Sequence, residues 1–121
     1  MSLPPVLIVG AGIAGLTAAR ELTRAGRAVV VVEKGRGVGG RCATRRIGEH
    51  VFDHGAQFFT ARDPRFARYA DDWLARGAAV RWCDGMDSYL AGPCTDGVPR
   101  FRGAPAMTAI DLACAASAAA I

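Results

Sequence analysis

The sequence predicts an α/β fold: a strand–turn–helix–strand unit in residues 1–48, followed by a partial α+β segment in residues 49–121. Three observations predict it. Val6-Leu7-Ile8-Val9 is a short apolar run, the mark of a strand buried on both faces. Gly10-Ala11-Gly12-Ile13-Ala14-Gly15 follows at once and opens a helical pattern through Leu16, Ala19, Leu22 and Thr23. Gly26 ends that helix, and Ala28-Val29-Val30-Val31-Val32 is a second buried strand closing on Glu33.

This order of strand, Gly-x-Gly-x-x-Gly turn, helix, strand and acid is that of a Rossmann-like FAD/NAD(P)-binding βαβ unit. Each part has a physical reason. Gly10 permits the tight turn, Gly12 lets a pyrophosphate approach the backbone, and Gly15 lets the helix pack close to the strand. Free N–H groups and the positive end of the helix dipole then face the anion. Glu33 stands where a carboxylate accepts both hydroxyl protons of an adenosine ribose. It would repel a 2′-phosphate, which disfavours NADP. The expected ligand is an adenine dinucleotide.

The next residues separate NAD from FAD. Lys34-Gly35-Arg36-Gly37-Val38-Gly39-Gly40-Arg41 leaves the second strand as a basic, glycine-rich loop where a simple NAD dehydrogenase would enter another helix. Gly39-Gly40-Arg41 offers two more points of close backbone approach and a guanidinium for the diphosphate. The pair of glycine motifs resembles that of flavoproteins in the amine oxidase and glutathione reductase-like superfamily. The stretch from Val51 to Phe66, with Asp53-His54-Gly55-Ala56-Gln57-Phe58-Phe59 at its centre, narrows the resemblance. Together these segments look like the N-terminal part of the bacterial renalase-like FAD-dependent oxidoreductases, within the flavin amine oxidase superfamily. Trp82 and the segment from Val98 to Met107 fit the same pattern, so the resemblance covers residues 5 to about 108.

The resemblance implies a dinucleotide-binding domain interleaved with a substrate domain, and an extended FAD. Its cofactor contacts would come from Gly10, Ala11, Gly12, Ile13, Ala14, Gly15, Glu33, Lys34, Gly39, Gly40 and Arg41. Gly55, Ala56, Gln57 and Phe58 would pass beneath the flavin. The implied activity is oxidation of a small reduced substrate, a dihydronicotinamide isomer or an amine, by hydride transfer to FAD with molecular oxygen as acceptor. The flavin carries the redox chemistry, and no acid–base catalyst is assigned.

Further along, Asp63-Pro64 reads as an N-cap followed by proline at the first helical position. Phe66, Tyr69, Trp73 and Leu74 then recur at helical spacing, a core face before it is a pocket wall, and Gly77 stops the helix. Val80–Cys83 and Val98–Phe101 read as short strands, with Pro99 suggesting an edge and Gly85, Gly92-Pro93 and Asp96-Gly97 as turns. Ala106–Ala120 reads as an alanine-rich helix with Met107, Ile110 and Cys114 on one side. His50 and His54 share a face of a strand but lie about 13 Å apart, too far to share a metal ion. Cys42, Cys83, Cys94 and Cys114 form no CxxC pair and are expected as free thiols.

The net charge of +4 invites a nucleic-acid reading. Aromatic residues do not alternate with the basic cluster at Lys34–Arg46, so a small phosphorylated ligand explains it better. No run reaches the roughly 20 apolar residues of a membrane span, and nothing resembles a signal peptide, so a cytoplasmic setting is expected. Renalase-like proteins are normally much longer than 121 residues. The chain therefore reads as truncated, with the adenosine and pyrophosphate contacts encoded and much of the flavin pocket supplied by a missing C-terminal part or a partner copy. Alone, it is expected to bind FAD weakly with little turnover. Two alternatives stay open: a non-catalytic dinucleotide-binding remnant, which the length favours, and an NAD-dependent dehydrogenase fragment, which Gly39-Gly40-Arg41 opposes.

Overall fold

Strand β1 (Val6–Val9) runs into the glycine turn, helix α1 (Ile13–Arg24) crosses back, and β2 (Val29–Val32) lies parallel to β1 with Val6 opposite Val29 and Val9 opposite Val32. The computed structural model describes residues 3–85 and 96–116. Gly26 takes a left-handed conformation (φ +76°) just beyond α1, as the sequence expects of a helix stop.

One expectation for this unit fails. Both strands were expected to be buried on both faces, but burial alternates along each of them. Val29 and Val31 join Leu16 and Ala19 of α1 in the core, with Ile8 packed against them. Leu7, Val9, Val30 and Val32 face solvent, Val9 at 80% exposure. The reason is layer count: the described helices cover one face of this two-stranded sheet, and an apolar run alone does not reveal whether a second layer exists.

A single 3₁₀ turn (Gly40–Cys42) leads into a hairpin of β3 (Thr44–Ile47) and β4 (His50–Asp53), with Thr44 opposite Asp53. His50 lies on β4, and exposed His54 follows it. Helix α2 (Pro64–Ala75) begins as read: the Asp63 side chain accepts the Arg65 N–H at 2.8 Å, and proline fills the first position. Strands β5 (Ala79–Cys83) and β6 (Arg100–Gly103) pair antiparallel. Pro99, expected within a strand, instead precedes β6. The aromatic face of α2 is core: Trp73 is 1% exposed, and the rings of Phe59 and Phe66 each meet it edge-on at 5.7 Å.

Helix α3 (Thr108–Ala115) is shorter than the expected span from Ala106 to Ala120, whose last residues lie outside the described ones. So do Gly92-Pro93 and Cys94. Cys42, Cys83 and Cys114 are free. A polar clasp ties the hairpin to the start of α3. The Thr44 hydroxyl donates to Asp53 at 2.6 Å, the Met107 N–H donates to the same carboxylate at 3.1 Å, and the Thr44 N–H donates to the Thr108 hydroxyl at 2.8 Å. Helix α3 then packs along α1, so Leu16, Ala19, Val31, Trp73, Met107, Ile110 and Cys114 share one core. Among the described residues, no helix is long and apolar enough to cross a membrane.

Candidate dinucleotide-binding site

The site is built mostly from main chain. Gly10 (φ +102°) turns the chain out of β1, and its N–H donates to the Val32 carbonyl at 2.7 Å, so the turn sits above the ends of both strands. A Cβ on Gly15 would stand 2.1 Å from the Gly10 carbonyl oxygen, so α1 approaches this close only with glycine there. No side chain caps α1 at Gly12, and the first bond into the helix is Leu16 N–H to the Gly12 carbonyl at 3.0 Å. The N–H groups of Ile13, Ala14 and Gly15 therefore have no acceptor within the helix. With the helix dipole behind them, they are able to donate to an anion.

The second glycine loop is laid against the first. The Gly39 N–H donates to the Ala11 carbonyl at 2.9 Å, and a Cβ on Gly40 would lie 3.4 Å from the Gly12 Cα. Between the loops opens a cleft of about 380 Å³ walled by Val9, Gly10, Gly12, Ile13, Ala14, Gly15, Gly39, Gly40, Arg41 and Cys42. Its lining carries one charged side chain, the cationic Arg41. Its volume falls within the range of about 300–1,000 Å³ usual for small-ligand sites.

Glu33 organises the turn. Its Oε2 accepts the Ala11 N–H at 2.7 Å and its Oε1 accepts the Gly35 N–H at 2.8 Å. These bonds, the one from Ala11 foremost, hold its carboxyl below the usual glutamate range, so it is ionised at neutral pH. A carboxylate has about four acceptor positions, which leaves lone pairs for ribose hydroxyls. Ala11 is fully buried with both backbone groups engaged, so it shapes the cleft without lining it. Glu33 and exposed Lys34 also stand outside the lining.

The third predicted element comes to the same place. The Ala56 N–H donates to the Arg41 carbonyl at 2.9 Å, and a Cβ on Gly55 would meet that oxygen at 2.1 Å. Gln57 and Phe58 continue exposed from this anchor, the Phe58 ring 5.9 Å from that of Trp82. The sequence reading missed Val9 and Cys42 as cleft residues. Their positions, last in β1 and next after Arg41, were the available signal.

The model of the NAD(P)-binding Rossmann-like domain family matches residues 8–73, more than half of the chain and both glycine loops with it. The chain belongs to that family. Relatives of this Rossmann-like domain are flavin-dependent oxidoreductases of the monoamine and putrescine oxidase type. Putrescine oxidase of Kocuria rosea is 36% identical over 86 residues, 71% of this chain and 18% of that protein. The (S)-6-hydroxynicotine oxidase of Paenarthrobacter nicotinovorans is 39% identical over 61% of this chain and 18% of its own length. A Mycobacterium tuberculosis protein described as a flavin-containing monoamine oxidase is 53% identical over 44% of this chain and 12% of that one. The structure of putrescine oxidase bound to putrescine superposes with a TM-score of 0.52 at 32% identity, over 72% of this chain and 19% of that one. The chain thus spans less than a fifth of the length of these relatives.

Proposed function

We propose that this chain binds FAD and forms the dinucleotide-binding part of an amine oxidase-type oxidoreductase. The observation that carries the reading is the apposition of two glycine loops, Gly12 against Gly39 and Gly40, in one cleft at an uncapped helix N-terminus. A single loop would serve any dinucleotide. The second loop, with Arg41 beside it and Gly55–Ala56 anchored behind it, supports FAD over NAD. So do the flavin-dependent relatives.

In this reading residues 1–48 bind the adenosine diphosphate half. The Ile13–Gly15 N–H groups and Arg41 take the diphosphate, and the free lone pairs of Glu33 accept the ribose hydroxyls. Residues 49–121 bring Gly55, Ala56, Gln57 and Phe58 beside the flavin end and begin a substrate domain. FAD, when bound, supplies a two-electron acceptor. The substrate is a small reduced molecule, an amine or a dihydronicotinamide isomer, whose hydride passes to the flavin, with molecular oxygen as final acceptor. The stretch from Asp53 to Phe66 supports the renalase-like form of this chemistry. The open outer face of β1–β2 favours an assembled protein as the active form, with the isolated chain binding FAD but turning over little.

The test is to produce the 121-residue chain with FAD present, desalt it and record the visible spectrum. Retained flavin that is lost in Arg41→Ala supports the reading. A colourless protein whose melting temperature ignores added FAD overturns it. Oxidation of a dihydronicotinamide above the free-FAD blank would overturn the claim that the chain alone turns over little.

A further inference from the structure

The far end of α1 holds a second polar centre that the glycine cleft does not use. Arg20 is 2% exposed at the contact between α1 and α2. Its Nη2 pairs with Asp72 at 2.8 Å, while its Nε and Nη1 have no acceptor. Asp72 is shared, since Arg76 approaches the same oxygen at 3.4 Å. Arg24 reaches Glu21 at 3.4 Å across the surface. Arg68 projects from the next turn of α2, and the Tyr69 ring lies 5.8 Å from the Arg20 guanidinium carbon. Arg20, Glu21, Arg24, Arg68 and Tyr69 together line a cleft of about 200 Å³. Among the described residues, Arg20 pairs with Asp72 and Arg24 with Glu21, no ion pair reaches Arg68, and Arg20 is buried with two nitrogen atoms unpaired.

A buried guanidinium left short of acceptors is costly. The cleft beside it is below the roughly 300 Å³ of an ordinary small-molecule pocket but has room for a small ion with water. We propose that this cleft is an oxyanion site that takes a phosphate- or sulfate-type anion between α1 and α2. Arg24 and Arg68 reach the anion from the surface, and its charge supplies Arg20 with the field that one shared carboxylate leaves short. The C-terminal end of a helix repels anions, so the arginines and not the α1 dipole provide the attraction. The site stands about 10–17 Å along α1 from the glycine loop, so an anion here leaves the dinucleotide cleft free. Its effect is to staple the βαβ unit to α2.

Thermal unfolding of the full chain in sodium phosphate, against sodium chloride at matched ionic strength, tests this. At about ten times its Kd, phosphate should raise Tm by about 5 °C. Arg68→Ala, a surface change, should abolish most of the rise, and Arg41→Ala should keep it. An equal rise in chloride, a rise that survives Arg68→Ala, or one lost in Arg41→Ala overturns the proposal, the last by placing the phosphate in the glycine cleft. A second readout is the Arg20 Nε–H resonance. It should shift saturably with phosphate, and a resonance that stays still contradicts the site.

Discussion

At the N-terminal end of α1 the polar groups are backbone. Three N–H groups without helical acceptors face a cleft walled largely by glycine, and the Glu33 carboxylate holds the turn by accepting the Ala11 and Gly35 N–H groups. Along the rest of the helix and on its neighbour α3 the polar groups are side chains, and two of them are buried ionisable groups. Arg20 shares Asp72 with Arg76, and Asp111, on the α3 that packs along α1, has no hydrogen-bond partner on either carboxylate oxygen. The first arrangement is specified by short-range spacing and tolerates almost no added atom. The second is specified by what tertiary packing brings together, and each charge depends on a partner or pays for lacking one. The two ends should therefore respond differently to mutation.

The largest effect belongs to Asp111. It is completely buried, and desolvation pushes its carboxyl up to about 7. The titratable groups beside it, Cys42 and Cys114, have their own thiols pushed up by burial and stay neutral over this range. In the unfolded chain Asp111 loses its proton near 3.8, whereas in the folded protein it keeps it until about 7. Folding stability from this group is therefore full below pH 4, falls as pH rises and levels off above 7. The loss is about 4 kcal/mol. Denaturant unfolding of Asp111→Ala should show that decline removed and a variant more stable than the parent at pH 8. An unchanged pH profile would remove Asp111 from the charged half of the comparison.

Asp72→Asn comes next. Removing the carboxylate leaves Arg20 buried without an anionic partner and should cost about 3 kcal/mol by urea unfolding. The gain in Tm from phosphate should be larger in this variant than in the parent. A smaller gain would contradict the anion site, since losing a carboxylate beside it should only favour a bound anion.

At the glycine end, Gly15→Ala places a Cβ against the Gly10 carbonyl and should cost about 2 kcal/mol. Its sharper signature is functional: displacing α1 from the turn should weaken dinucleotide binding at least tenfold. In Asp72→Asn, binding to the folded protein should stay within about twofold, because Asp72 lies outside the cleft lining. Equal losses of binding in both variants would dissolve the distinction between the two ends.

The same contrast explains what the sequence made legible. Gly10, Gly12 and Gly15 stand between two apolar runs, so turn, helix and cleft follow from local spacing. Asp63-Pro64 marked the start of α2 for the same reason. The half-open β1–β2 sheet was not legible, since Leu7 and Val9 look alike whether or not a second layer covers them. Nor was the Arg20–Asp72 pair, because its partners sit on helices far apart in the sequence. Asp111 is the instructive miss. It lies four residues after Met107 and three before Cys114, beside the helical stripe of Met107, Ile110 and Cys114 read on one side of this helix. Extending that stripe by one position would have exposed the buried charge.

The account rests on the glycine cleft holding the adenosine diphosphate half of FAD. The direct measurement is an amide ¹H–¹⁵N titration of the full chain with FAD. Saturable shifts at Gly10, Gly12–Gly15 and Gly39–Arg41, with the α1 residues near Arg24 unmoved, are the predicted result. Shifts that never saturate, or that gather away from both glycine loops, would contradict it.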